Sequence, residues 1–316
     1  MTRLPYLALA LACASVDPAY AACGTAGCAI NTNWETQNPH LGPGLRVDLR
    51  MEYIKQDTLR KGSKEAQHAE VLTDPLAEHD EIETVNRNLR AHFDYSINGN
   101  WGISVDVPLV SRKHSHFSLE ESALEKWDFS ALADVRVLGR YAFAGDANMS
   151  WGLTFGAKLP TGKFDETNDD NEAAERMLQP GTGTTDALLG AFYQHSKANS
   201  PWSWFGQVSL QQALESRDGY KPGKQIGVDV GTGYRLNDSV SALLQLNLQH
   251  RAHDSGANSE PDESGSEFAF LSPGVQVRLG ISTQAYAFVQ LPVYQHVNGI
   301  QLTADKALLV GLSHRF

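Results

Sequence analysis

The chain has 316 residues, 41% of them hydrophobic, and a formal net charge of −11 at pH 7. That acidic balance disfavours nucleic acid as a partner, because nucleic acid is bound by basic faces. Mean hydropathy is −0.33, and after the first twenty residues no apolar run approaches the ~18 residues a spanning helix needs. A helical membrane protein is excluded, while a transmembrane barrel stays open, because its lumen and loops are polar.

The chain starts with a short basic stretch, Met1-Thr2-Arg3, then an apolar run from Leu4 to Val16, then Ala19-Tyr20-Ala21. This order predicts a secretory signal peptide over residues 1–21. Cys13 leaves with it, so Cys23 and Cys28 are the two remaining cysteines. A close pair in an exported chain predicts a disulfide. Thiol or metal chemistry is the alternative, although two thiols alone make an incomplete zinc site. Residues 22–43 show no alternation and are rich in Gly, Pro and Asn. They predict an irregular segment, either in the periplasm or folded into the lumen as a plug, with Trp34 its expected anchor.

Alternation begins at Leu45. Leu45, Val47, Leu49, Met51 and Tyr53 fall on one face, and Arg46, Asp48, Arg50 and Glu52 on the other. Side chains alternate across a strand, whereas a helix would place these charges on every side. The same pattern predicts strands at 45–56, 84–97, 101–112, 130–143, 149–160, 185–196, 202–213, 224–236, 239–251, 266–279, 285–296 and 304–316. An even count places both ends of the wall on one side. The connections alternate in length: short ones rich in Gly, Asn and Asp, long ones at 57–83, 113–129, 161–184, 214–223 and 252–265, and a shorter one at 297–303. That rhythm predicts periplasmic turns and external loops.

Trp101, Trp151, Trp202 and Trp204 follow the short turns, and Tyr95, Tyr141, Phe143, Tyr193 and Tyr234 precede them. Aromatics at one end of successive strands predict an interfacial girdle. Pro108, Pro160 and Pro292 predict places where pairing stops, and Pro273-Gly274 predicts a bulge. The last strand presents Leu308, Val310, Leu312, His314 and Phe316 on one face. A terminal strand ending in Phe resembles the C-terminal signature of outer-membrane barrels, which implies outer-membrane lipid and the barrel-assembly machinery as partners. The predicted fold class is all-β: an antiparallel up-and-down transmembrane β-barrel of about twelve strands over residues 44–316.

Three stretches carry a resemblance: Ala133-Asp134-Val135-Arg136-Val137-Leu138-Gly139-Arg140-Tyr141; Lys158-Leu159-Pro160-Thr161-Gly162 followed by Gln179-Pro180-Gly181-Thr182-Gly183; and Val289 to Gly299. Together they resemble the outer-membrane transporter family named after the phenol meta-degradation pathway. The Cys23–Cys28 leader departs from its common pattern.

The predicted inward face carries charges of both signs: Arg46, Asp48, Arg50, Glu52, Arg90, Asp94, Asp106, Asp134, Arg136, Arg140, Lys158, Asp229, Arg235, Arg251 and Arg278. They predict a pore lining, a network of cross-strand ion pairs, or both. The acids of 57–83 and 161–184 lack calcium-loop spacing and predict solvated loops. His114-x-His116 and His250-x-x-His253, with His296, fall at the long-loop ends and have spacings suited to a transition metal. Cys23, Cys28, His114, His116, His250 and His253 are therefore the candidate metal ligands, with no cofactor specified. Motifs of nucleophilic, zinc-protease and phosphate-binding enzymes are absent. The leading expectation is a non-enzymatic channel for small-molecule solutes. A metal- or partner-binding barrel and an outer-membrane hydrolase are the rivals.

Overall fold

A computed structural model describes residues 22–23 (backbone only), 30–33, 43–73, 79–143, 148–197 and 199–316. The signal peptide, Cys28 and Trp34 lie outside the described residues. In chain order the elements are β1 (Ala22–Cys23), β2 (Gly44–Gln56), β3 (Thr58–Gly62), β4 (Lys64–Glu65), α1 (His68–Val71), β5 (His79–Ser96), β6 (Trp101–Ser118), β7 (Ala123–Leu132) and β8 (Arg136–Ala142). They continue with β9 (Met149–Lys158), β10 (Asp186–Ser196), β11 (Trp202–Ala213), β12 (Gln225–Arg235), β13 (Val240–Arg251), β14 (Ser266–Arg278), β15 (Thr283–Thr303) and β16 (Ala307–Arg315).

Twelve of these strands close into an antiparallel ring. The order runs from β14 back through β8, β6, β5 and β2 to β16 and β15, and β15 pairs β14 again. The seam pairs Val310 with Met51 and Leu312 with Leu49. Register follows the alternation, since slipping by one residue would turn every Leu into the lumen. Leu49, Met51, Leu89, Phe93, Ile103, Leu246, Leu308 and Val310 are exposed on the outer face, whereas Asp48, Glu52, Asn88, Asn247 and Ser313 are buried inside. An apolar outside around a polar inside is the surface of a barrel that sits in lipid. From Trp101 to Leu109 the outer belt of β6 covers roughly 26 Å of strand at ~3.3 Å per residue.

The short-turn rim carries the aromatics. Phe143 stacks on Trp151 at 4.1 Å, and Trp202 sits 4.7 Å from Tyr234 and 5.7 Å from Trp204. Most of their rings face outward, as an interfacial belt requires.

The long-loop end differs from the expectation in three ways. Residues 113–118 and 123–129 are strand, so β6 and β7 form a hairpin that rises above the lipid belt. Its outer face is mixed: Lys113 Nζ lies 2.6 Å from Asp128 Oδ2, and Phe117 and Leu124 are exposed beside that pair. The predicted 130–143 strand breaks at Ala133–Val135, where β6 changes partner from β8 to β7. Pro108 sits at that change; it has no N–H to give a ladder, and its carbonyl accepts from Ala133 N at 2.9 Å. Residues 297–303 likewise extend β15, which pairs there with β3. The register shift of β14 against β15 falls between Ala269 and Phe270, opposite Pro292 and Tyr294. The bulge therefore lies beside Pro292 and not at Pro273-Gly274.

Above the belt this extension has its own apolar core. Leu59, Val71, Trp127, Phe129, Leu178, Ile300 and Leu302 pack together, so strand extensions and the 159–185 loop fill the external mouth with hydrophobic side chains. β1 lies at this end, parallel to β15, with Ala22 opposite Gln301. Gly44 lies at the other end, opposite Ser96.

Candidate functional site

The lumen has two unlike walls. β2, β5, β6 and β8 supply the charges. Arg50 Nε is 3.2 Å and Arg90 Nε 3.5 Å from Glu52 Oε1, while Arg90 Nη1 donates to Asp106 Oδ1 at 3.1 Å. Asn88 completes the set by donating to Glu52 Oε2 at 3.1 Å. A buried carboxylate flanked by two guanidiniums and held by an amide donor is a strongly held one. The facing wall, from β11 to β14, is mostly amide and hydroxyl: Gln207, Gln211, Gln245, Asn247 and Ser272, with Asp229 among them.

Residues 30–33 cross between these walls. On the amide side, Asn31 N donates to Gln245 Oε1 at 3.0 Å and receives Gln245 Nε2 on its own carbonyl at 2.9 Å. Asn31 Nδ2 reaches Gln207 Oε1 at 2.8 Å and Asp229 Oδ2 at 3.2 Å. On the charged side, Arg50 Nη1 donates to Thr32 Oγ1. Ile30 packs on Tyr286, Phe288 and Leu309. The result is a crossbar in the lumen. Toward the long loops lies a cavity lined by Arg50, Arg90, Arg136, Asp106, Asp229 and Arg251 among others. Toward the short turns lies another, lined by Arg46, Arg235, Arg278, Phe205 and Gln276 among others.

The remaining charges expected in the lining are engaged in the wall itself. Asp48 accepts from Tyr286 OH at 2.7 Å. Asp94 takes Ser96 Oγ at 3.5 Å, and Arg140 Nη2 donates to the same hydroxyl at 3.1 Å. Lys158 Nζ sits between Asp134 Oδ2 at 3.0 Å and Asp186 Oδ1 at 3.1 Å. Asp134 also accepts Gly162 N at 3.0 Å and Thr182 N at 2.9 Å. This knot explains the motif that joins Asp134, Lys158–Gly162 and Gln179–Gly183. A buried lysine is balanced by two carboxylates, and Gly162 lies so close to Gly181 that a Cβ there would stand 2.8 Å from its Cα. The motif ties the long β9–β10 loop back onto the rim.

The candidate metal ligands divide. His114 and His116 point inward from β6 and meet Glu81 of β5, with all three donor atoms within 4.8 Å of one another. Both lie above the lipid belt. Burial pushes the His114 imidazole well below its usual pKa and that of His116 down to about 4. Both rings are neutral at physiological pH. Glu175 stands on the other side of His116; burial, then the nearby Glu260 and Glu81, push its carboxyl well above the usual range. The acids of the long loops are thus not all solvated, since the Glu81 side chain is 1% exposed. His250 and His253 are not brought together. His250 Nδ1 is 3.3 Å from Glu267 on the outer face, while His253, beyond the end of β13, contacts Pro261 O and Asn298. Residues three apart on a strand point to opposite faces. For Cys23 only the backbone is described. Sequence reasoning missed Asn31 and Thr32, because their partners are far away in the chain and their segment has no periodicity.

The sequence model of the family described as "Putative MetA-pathway of phenol degradation" matches residues 83–298. Among solved structures, the fold is similar to the COG4313 outer membrane channel from Pseudomonas putida F1, at 13% identity and a TM-score of 0.67, covering 88% of this chain and 97% of that one. The toluene transporter TodX of Pseudomonas putida aligns at 9% identity and TM-score 0.46, covering 95% of this chain and 96% of that one. The toluene transporter TbuX of Ralstonia pickettii aligns at 10% and 0.44, covering 95% and 96%. No curated protein matches the chain in sequence.

Proposed function

The chain belongs to the family described as putative MetA-pathway of phenol degradation, and on that premise we propose that it is an outer-membrane channel for small molecules. The observation that carries the reading is the divided lumen: two polar cavities separated by a thin hydrogen-bonded bar at Asn31 and Thr32. A wall held by charge pairs keeps its shape, while a thin bar held by a few hydrogen bonds, two of them to the charged Arg50 and Asp229, each worth about 1–3 kcal/mol net, moves at lower cost. Residues 30–33 act as the gate, with residues 1–21 removed on export. The wall residues Arg50, Arg90, Arg136 and Arg251 line the external chamber, and Arg46, Arg235 and Arg278 the periplasmic one. The role is passage, with no catalysis. Outer-membrane lipid surrounds the apolar belt, and the exposed Phe316 at the end of β16 suits recognition by the barrel-assembly machinery.

Single-channel recording in planar bilayers tests this. The wild-type chain is expected to show small or brief openings. Asn31→Ala with Thr32→Ala, which removes the bar's side-chain bonds, should raise the open fraction severalfold. A chain that conducts in neither form is not a channel.

A further inference from the structure

A buried polar cluster lies in the extension above the lipid belt, apart from the lumen and its bar. From its geometry we infer that Glu81, His114, His116 and Glu175 form a binding site for one divalent transition-metal cation of the zinc class. His114 Nε2 and His116 Nδ1 are 3.2 Å apart. Glu81 Oε2 is 3.6 Å from the first, Glu81 Oε1 3.9 Å from the second, and Glu175 Oε1 3.7 Å from the second. Around a tetrahedral zinc with bonds of about 2.0–2.1 Å, neighbouring donors stand roughly 3.3 Å apart. The donors of Glu81, His114 and His116 already lie within 4.8 Å of one another, and Glu175, 3.7 Å from His116, completes the set by a further movement of its loop.

The outer nitrogens are already oriented for it. His116 Nε2 lies 3.0 Å from Glu125 Oε2. A carboxylate there accepts, so the proton of neutral His116 sits on Nε2 and its Nδ1 lone pair points into the cluster. His114 Nδ1 lies 2.8 Å from Thr84 Oγ1, a hydroxyl able to accept its proton once Nε2 gives up its bond to His116 and takes the metal. An imidazole whose far nitrogen donates to a carboxylate or oxygen is the usual arrangement behind a metal-bound histidine.

Glu175 is the independent pointer. Its side chain is 10% exposed, and neither carboxyl oxygen receives a hydrogen bond among the described residues. A buried carboxyl in that state lacks a cation or a donor. Two imidazoles with two carboxylates select a borderline metal over magnesium or calcium, which take all-oxygen sets. Because Glu175 belongs to the 159–185 loop while the other three belong to β5 and β6, the cation fastens that loop across the external mouth. Arg112, which donates to the Leu178 carbonyl, holds the same loop from below.

The test uses the folded full-length chain in detergent, stripped with a chelator, loaded with Zn²⁺, desalted and assayed for metal per chain by mass spectrometry. One equivalent is expected to be retained. It should be lost in His116→Ala and in Glu175→Gln, the second being a loop variant whose folding does not depend on the wall. Glu125→Gln should weaken binding by about 10–100-fold, and Co²⁺ loading should give the visible bands of a tetrahedral site. Zinc should also slow proteolysis within 159–185. Wild-type chain that retains no zinc, or retention unchanged in both His116→Ala and Glu175→Gln, overturns the site. Conductance plays no part in this readout, so its outcome is separate from the channel's.

Discussion

Arg50 and Arg90 stand directly opposite each other on β2 and β5, and the same oxygen of Glu52 neutralises both, at 3.2 and 3.5 Å. Like charges at opposing positions of a ladder repel, and this pairing is offset by Glu52, fully buried between them, with Asp106 on the far side of Arg90. Glu52→Gln keeps the shape and removes the charge. It is expected to destabilise the barrel by about 3–5 kcal/mol, the usual loss when one member of a buried ion pair is removed. Urea midpoints in detergent measure it. A wild-type-like midpoint would show that the two guanidiniums are neutralised elsewhere. Adding Arg90→Gln to the variant should recover part of the loss.

The two chambers are richer in cations than the chain as a whole. Arg50, Arg90, Arg136 and Arg251 face Asp106 and Asp229 in one, and Arg46, Arg235 and Arg278 line the other. A lumen of this sign draws anions despite the formal net charge of −11. Reversal potentials under a salt gradient should therefore report anion preference. Arg235→Ala with Arg278→Ala should reduce it without altering the fold, since both side chains are solvent-exposed. Cation preference in the wild type would contradict the assignment of these residues to the conduction path.

Lys158 has two carboxylates within 3.1 Å and almost no exposure. Lys158→Met leaves Asp134 and Asp186 facing each other without a cation. A loss of about 3–5 kcal/mol is expected, together with new protease cleavage in 159–185. If cleavage there is unchanged, the knot does not anchor the loop.

Gly162 has no room for a side chain: a Cβ would stand 2.8 Å from the Cα atoms of both Ala133 and Gly181. Backbone cannot yield as a flexible side chain does, so Gly162→Ala should cost about 1–3 kcal/mol as overpacking. Thermal midpoints of the two forms check it. Gly99→Ala, which meets nothing within 4 Å, is the matched control and should be near neutral.

The wall was legible because a bilayer outside and water inside impose a two-residue period on every strand. That period placed Leu49, Met51 and Tyr53 on one face and Asp48 and Glu52 on the other, before any pairing was known. Legibility ended where lipid ends. Along residues 113–118 and 123–129 the outer face carries Lys113, Lys126 and Asp128, so the alternation disappears while the strand continues. His114 and His116 remained readable as a same-face pair because they are two apart. Glu175 did not, since nothing distinguishes it from other acids of its loop until Leu178 and Trp127 bury it. Asn31 was beyond reach, as its hydrogen bonds to Gln245 span 214 positions.

Twelve passes through the wall would leave both ends of a chain on one side of the membrane. The leader adds to these the points where it is described: Ala22 lies beside Gln301 at the outer end, Asn31 bonds Gln245 between the two chambers, and Gly44 lies beside Ser96 at the inner end. Those three points stand at three depths of the bore.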